Sequence, residues 1–236
     1  MKPNFEKDRE VKPQDGSIPS GTLKLQGELI VPSGARGLVL FAHGSGSSRH
    51  SPRNQQVART LRTAGLGTLL FDLLTAEEEE LDMKTRHLRF DIKLLAERLM
   101  DATAWVAREP QTQNLRLGYF GSSTGAAAAL VAAAQLGHKV HAVVSRGGRP
   151  DLAGDSLPKV TAATLLIVGQ RDESVIGLNE QALGKLRCVK EMTVVPNASH
   201  LFEEPGSLEE VARLAATWFD RHLREPIKEG PATIRF

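Results

Sequence analysis

The stretch GYFGSSTGAAAAL, residues 118–130, sets two serines between glycines, straight after an apolar run and straight before an alanine-rich one. One reading is purely structural: a strand, a tight turn and a helix of small residues, with Ser123 as its N-cap. The other is chemical. Gly121-Ser122-Ser123-Thr124-Gly125 fits G-x-S-x-G, in which a serine is presented on a strained strand-to-helix turn. Ser123, at the centre, is then a candidate nucleophile, with Ser122 as a side wall. Gly121 and Gly125 are required because so sharp a turn crowds neighbouring backbone. Alone, the pattern is modest evidence, and the flanking sequence has to decide.

Working outward, the pattern is one of alternation. Two short extended pieces open the chain, one before the turn Pro13-Gln14-Asp15-Gly16 and one over residues 23–31; they read as an antiparallel pair at a sheet edge. Residues 37–42, GLVLFA, form a continuous apolar run, as expected of a strand buried on both faces. A helix over 54–63, a strand over 67–73 and a helix over 90–108 follow, the last with Leu94, Leu95, Leu99, Ala102, Trp105 and Val106 at helical spacing. Beyond the strand 115–120 and the alanine-rich helix come strands over 141–145, 164–168 and 191–195 and helices over 177–186 and 208–223. The acidic run 77–80 reads as a solvated loop or a helix start. Strands alternating with helices predict an α/β fold, a doubly wound and mostly parallel sheet, as one domain over residues 1–236 with 225–236 as a C-terminal tail on the surface. In such sheets ligands collect beyond the carboxyl ends of the strands.

Composition narrows the classes of function. A net charge of +2 implies no general polyanion-binding field, so nucleic acid is not an expected partner. A single cysteine, Cys188, excludes an internal disulfide and fits a reducing compartment; it is expected to be buried or half-buried. The start, MKPNFEKDRE, lacks the apolar core of a secretory signal, and no stretch is apolar for long enough to span a membrane. The expectation is a cytoplasmic protein without membrane association.

A serine hydroxyl is a weak nucleophile and needs a base, which in turn needs an orienting carboxylate. On a G-x-S-x-G turn the chain order should be serine, acid, histidine. The run LLIVGQRD puts Asp172 just past the end of a buried strand, with Glu173 as its nearest rival; the next strand leads through PNAS to His200. Ser123, Asp172 and His200 thus fall on one edge of the sheet in the required order, a solvated loop histidine being the plain alternative for His200. An oxyanion hole would come from the backbone N–H groups of Thr124, after the nucleophile, and Ser45, in the loop HGSGSS. That loop lacks the lysine of a phosphate-binding P-loop and the third glycine of a dinucleotide fingerprint. His43 is expected to hydrogen-bond within the loop rather than act as a second base. Arg49 and Arg53, with His50, follow this loop, and Arg146 and Arg149 follow the sixth strand. They are ordinary solvated arginines or a cluster that selects an anionic substrate.

HGSGSS, GSSTG, GQRDE and NASH together resemble the α/β-hydrolases of the dienelactone hydrolase group, over nearly the whole chain, and SRGGRPDL at residues 145–152 is shared with relatives, some of which carry a phosphoribosyltransferase domain that is not expected here. The resemblance implies a Ser/Asp/His esterase-like site with a small-molecule ester or lactone substrate and with neither metal nor cofactor. One departure stands out: the namesake enzymes use a cysteine nucleophile, where this chain has Ser123. Many members also insert a helical cap between the sixth and seventh strands; here residues 147–163 are too few, so an open site is expected. The alternative is a non-catalytic or regulatory module that keeps the fold and holds an anion at the arginine-lined edge.

Overall fold

The computed structural model describes residues 13–224. Eight strands form a single sheet in the order β1-β2-β4-β3-β5-β6-β7-β8. Strands β3 (Leu38–Ala42), β4 (Gly67–Phe71), β5 (Leu117–Ser122), β6 (Val140–Arg146), β7 (Ala163–Gly169) and β8 (Lys190–Val195) run parallel. β1 (Gln14–Ser20) and β2 (Leu23–Ile30) form an antiparallel hairpin, and β2 joins it to β4 with β1 at the edge. β3, β4, β5 and β7 are buried at every position, which is why they read as unbroken apolar runs.

Helices cover both faces. Alternate side chains of β3 enter opposite layers: Leu38 and Leu40 join Leu95 and Leu99 of α3 (Ile92–Val106), while Val39 and Phe41 join Val57 and Leu61 of α1 (Pro52–Thr63). α6 (Ser207–Leu223) lies with α1; α4 (Thr124–Leu136) and α5 (Glu173–Lys185) lie on the side of α3. The alanines of α4 are there for clearance: Ala126, Ala127, Ala128 and Ala129 are wholly buried, since the helix is packed on the sheet on one side and on α3 on another.

The first strand differs from its expected place. Gln14, Asp15 and Gly16 belong to β1 itself, and the chain reverses at Gly21, whose φ is +57°. A Cβ on Gly16 would stand 3.1 Å from the Trp105 ring, a tight fit across the layer at a glycine that resembles a turn signal in the sequence. The piece expected before Pro13 and the tail 225–236 lie outside the described residues. The acidic run belongs to a further helix, α2 (Ala76–Thr85), which starts with a capping box: Glu78 N–H donates to Thr75 Oγ1 (3.2 Å) and Thr75 N–H to Glu78 Oε2 (2.9 Å). Between β6 and β7 there is only a tight 3₁₀ segment, Pro150–Lys159, so no cap covers the carboxyl edge of the sheet. Among the described residues no helix is long and apolar enough to cross a membrane.

Candidate active site

Ser123 sits between β5 and α4 with φ +50° and ψ −123°. A non-glycine residue holds such a conformation only where its surroundings enforce it. They do so here by close approach. A Cβ on Gly121 would lie 2.5 Å from Ala126 Cα, and one on Gly125 2.2 Å from the Ala42 carbonyl oxygen. Gly44 brings the loop after β3 to the same turn, where a Cβ would stand 3.1 Å from Ser123 Cβ. The Ser123 carbonyl accepts from Ala126 N–H and from Arg149 N–H, each at 3.1 Å, so the next strand's loop braces the turn. Ser123 makes no side-chain capping bond, so the N-cap reading of this serine is not met.

Asp172 follows β7 and His200 follows β8, and the two meet: His200 Nδ1 stands 2.6 Å from Asp172 Oδ2. An ionised carboxylate only accepts, so Nδ1 carries the proton and Nε2 is left as the acceptor. The Asp172 side chain opens α5 without capping it, whereas neighbouring Glu173 is exposed. The histidine loop is fixed from behind. Gly169 allows the loop within reach, since a Cβ there would be 2.4 Å from the Ala198 carbonyl oxygen. Gln170 Oε1 accepts from Asn197 N–H (2.9 Å) and Glu204 Oε2 from Ser199 N–H (3.0 Å).

Ser123 and His200 line one open cleft of about 580 Å³, with Ser45, Ser47, Arg53 and Arg146 among its walls. The amides of Ser45 and Thr124 find no backbone acceptor among the described residues, and their hydroxyls lie 3.0 Å apart. His43 is buried; its Nε2 accepts from Leu73 N–H and its Nδ1 lies 3.0 Å from the Gly44 carbonyl, which fixes the neutral tautomer. Burial pushes its pKa down, and the nearby Gly44 carbonyl and Asp72 only partly oppose this. It ties the loop after β3 to the end of β4. Behind that loop lies a second cavity of about 190 Å³, floored by Leu73, Leu74, Met83 and Leu95 and bordered by Thr124 and Glu79. Burial, with Asp72 and Asp82 nearby, pushes the Glu79 carboxyl upward.

The four arginines separate into two kinds. Arg49 is bound to Asp72, through its amide (2.7 Å) and its guanidinium, and Arg149 makes a two-pronged contact with Asp151 (2.7 and 2.8 Å). Neither lines the Ser123 cleft, and each is held by a nearby carboxylate. Arg53 and Arg146 do line it. Sequence reading missed the braces Asp72, Gln170 and Glu204, and also Asp82, which holds Arg89 Nε at 2.5 Å beside the smaller cavity. Only Asp72 carried a signal, as a charged residue directly after a buried strand. Cys188 is half-buried, 3.7 Å from Thr164 Oγ1 and remote from the cleft.

Comparison with known proteins gives the family. The alpha/beta hydrolase domain family matches residues 35–215. A dienelactone hydrolase from Anabaena variabilis, known by crystal structure, is 60% identical, with a TM-score of 0.87 over 90% of this chain and 99% of that one. An esterase of Pyrococcus furiosus shares the fold alone, at 18% identity and a TM-score of 0.71 over 90% of this chain and 92% of its own. A Mycobacterium tuberculosis protein, provisionally named a phosphoribosyl transferase, is 56% identical over 223 residues, 94% of this chain but 49% of the relative. The chain thus spans about half the length of the curated relatives it matches. A domain match over most of the sequence and a structural relative matched nearly end to end leave one assignment: the chain belongs to the α/β-hydrolase family, in its dienelactone hydrolase group.

Proposed function

We propose that this hydrolase is a serine esterase that cleaves small esters or lactones through an acyl-enzyme on Ser123. The observation that carries the reading is the strained Ser123 turn opening onto the same cleft as the His200–Asp172 couple. Strain of this kind persists where it has a use, and here it lifts the hydroxyl clear of the turn.

In the proposed reaction Ser123 Oγ attacks the acyl carbon while His200 Nε2 takes its proton, and Asp172 stabilises the imidazolium. The carbonyl oxygen, becoming negative, is held by the Ser45 and Thr124 N–H groups, whose lack of backbone acceptors leaves them available. His200 then gives the proton to the departing alcohol oxygen. Water, deprotonated by the same histidine, attacks the acyl carbon, and the histidine returns that proton to Ser123 Oγ as the acid leaves. The cleft and the smaller cavity share the loop carrying Ser45 as a wall. The lack of a cap fits short substrates that need little enclosure.

A fluorophosphonate probe should label Ser123, read as a mass increase on the peptide that contains it, and Ser123→Ala should abolish both labelling and turnover of p-nitrophenyl acetate. Ser122→Ala should leave labelling in place. Labelling that survives in Ser123→Ala, or an unlabelled wild type, sinks the proposal.

A further inference from the structure

Among the described residues the walls of the Ser123 cleft include Arg53, Arg146 and His50 but no acidic side chain. Arg146 ends β6 in register with Ser122, and its carbonyl lies 3.4 Å from the Ser123 amide. It is 7% exposed, and its Nε and Nη1 are buried without a hydrogen-bond partner among the described residues. A guanidinium taken out of water without a counter-charge is costly, and proteins seldom keep one unless something arrives to neutralise it. Burial, reinforced by the charge of Arg53, pushes its pKa down to about 10, which still leaves it cationic at neutral pH.

Three further features converge on the same space. Among the described residues Arg53 is engaged only by Glu203, at 3.2 Å on the surface, an ion pair that exchanges readily. α1 begins here with no acidic residue in its first turn, so its positive dipole end is not offset. Ser47, Ser48 and Ser51 add hydroxyl donors to the wall. A carboxylate offers one charge and two oxygens, and one guanidinium satisfies it. Two cations, a helix start and several hydroxyls suit a group with up to two charges and three free oxygens.

We infer that Arg146, with Arg53 and the start of α1, forms a receptor for a phosphate monoester group carried by the ester that Ser123 attacks. The inference rests on the esterase reading and names its substrate class. It is tested by titrating inorganic phosphate, and separately acetate, into Ser123→Ala, which removes turnover and leaves the receptor. Phosphate should bind saturably, and acetate about tenfold more weakly or worse. Adding Arg146→Met should weaken phosphate about tenfold or more, and adding Arg53→Met about two- to fivefold. Arg146→Met should also melt at a higher temperature than its parent without phosphate, since an unneutralised buried charge is gone. If that variant fails to fold, Arg146→Lys, which keeps the charge and loses the planar fork, gives the same comparison.

Phosphate that does not bind, that binds the Arg146 variants as tightly as their parent, or that binds no better than acetate overturns the receptor. Fluorophosphonate labelling of the wild type separates the two readings. Labelling without phosphate binding removes the receptor and keeps the esterase. Phosphate binding without labelling overturns the esterase reading and with it the substrate role given to the receptor.

Discussion

Arg98, on α3 beside the antiparallel edge of the sheet, and Arg146, at the end of β6, are buried to the same extent. Arg98 Nη2 donates to Glu78 Oε1 (2.7 Å) and Nη1 to Ser20 Oγ (2.8 Å), which leaves only its Nε over. Arg146 has no side-chain partner among the described residues. Ser20 is also bonded to Asp101, and Glu78 belongs to the capping box that starts α2, so Arg98 closes a network joining β1, α2 and α3. The two positions show a division of labour. At the antiparallel edge buried charge is neutralised locally and holds elements together; at the carboxyl edge it is left available, beside a residue in strained backbone. Changes at the first should cost stability and spare turnover, and changes at the second should do the reverse.

The largest effect expected is at the carboxyl edge. Asp172→Asn keeps the size of the side chain but favours the wrong imidazole tautomer, so kcat for p-nitrophenyl acetate should fall by about 10⁴-fold with little change in melting temperature. Near-normal turnover in that variant, with Glu173→Gln inactive instead, would move the acid one residue along. At the other edge, Arg98→Met should lower the unfolding free energy by about 2 kcal/mol while kcat stays within about twofold. Loss of turnover without loss of stability there would erase the contrast. The smallest effect concerns His43. Its pKa is lowered in the folded protein, as are those of His141 and His222, in each case chiefly by burial. Below about pH 6.5 the unfolded chain therefore binds more protons than the folded one, and stability falls as pH drops. Above it the stabilisation of the neutral rings is fully present. Denaturant unfolding from about pH 7 down to about pH 5 should show this decline, and His43→Asn should flatten it, by no more than about 1.4 kcal/mol per pH unit for one proton. An unchanged slope would mean that His43 is protonated without cost.

The sheet was legible because burial on both faces writes itself into sequence as unbroken apolar runs, and the turn at Ser123 because its glycines are dictated by contacts closer than a methyl group permits. The Asp172–His200 couple was legible through chain order, since each residue lies in the short loop that follows a strand. The first hairpin was misplaced, because Gly16 answers to Trp105 across the layer, a contact no local pattern records. The arginines were illegible for a related reason. Placing four of them at one edge says nothing of which have a carboxylate in reach: Asp72 meets Arg49 only through the fold, whereas Asp151, two residues from Arg149, was a local pairing that the reading passed over.

The glycines around Ser123 have one more consequence. The turn that carries it is closed by main-chain approaches at Gly44, Gly121 and Gly125 rather than by anything the hydroxyl touches. The mount is therefore indifferent to what it carries: exchanging the terminal atom, oxygen for sulfur, leaves the point of presentation where it is. Evolution can retune reactivity at this position by replacing one atom, while any move of the position itself requires β3, β5 and α4 to be rebuilt together.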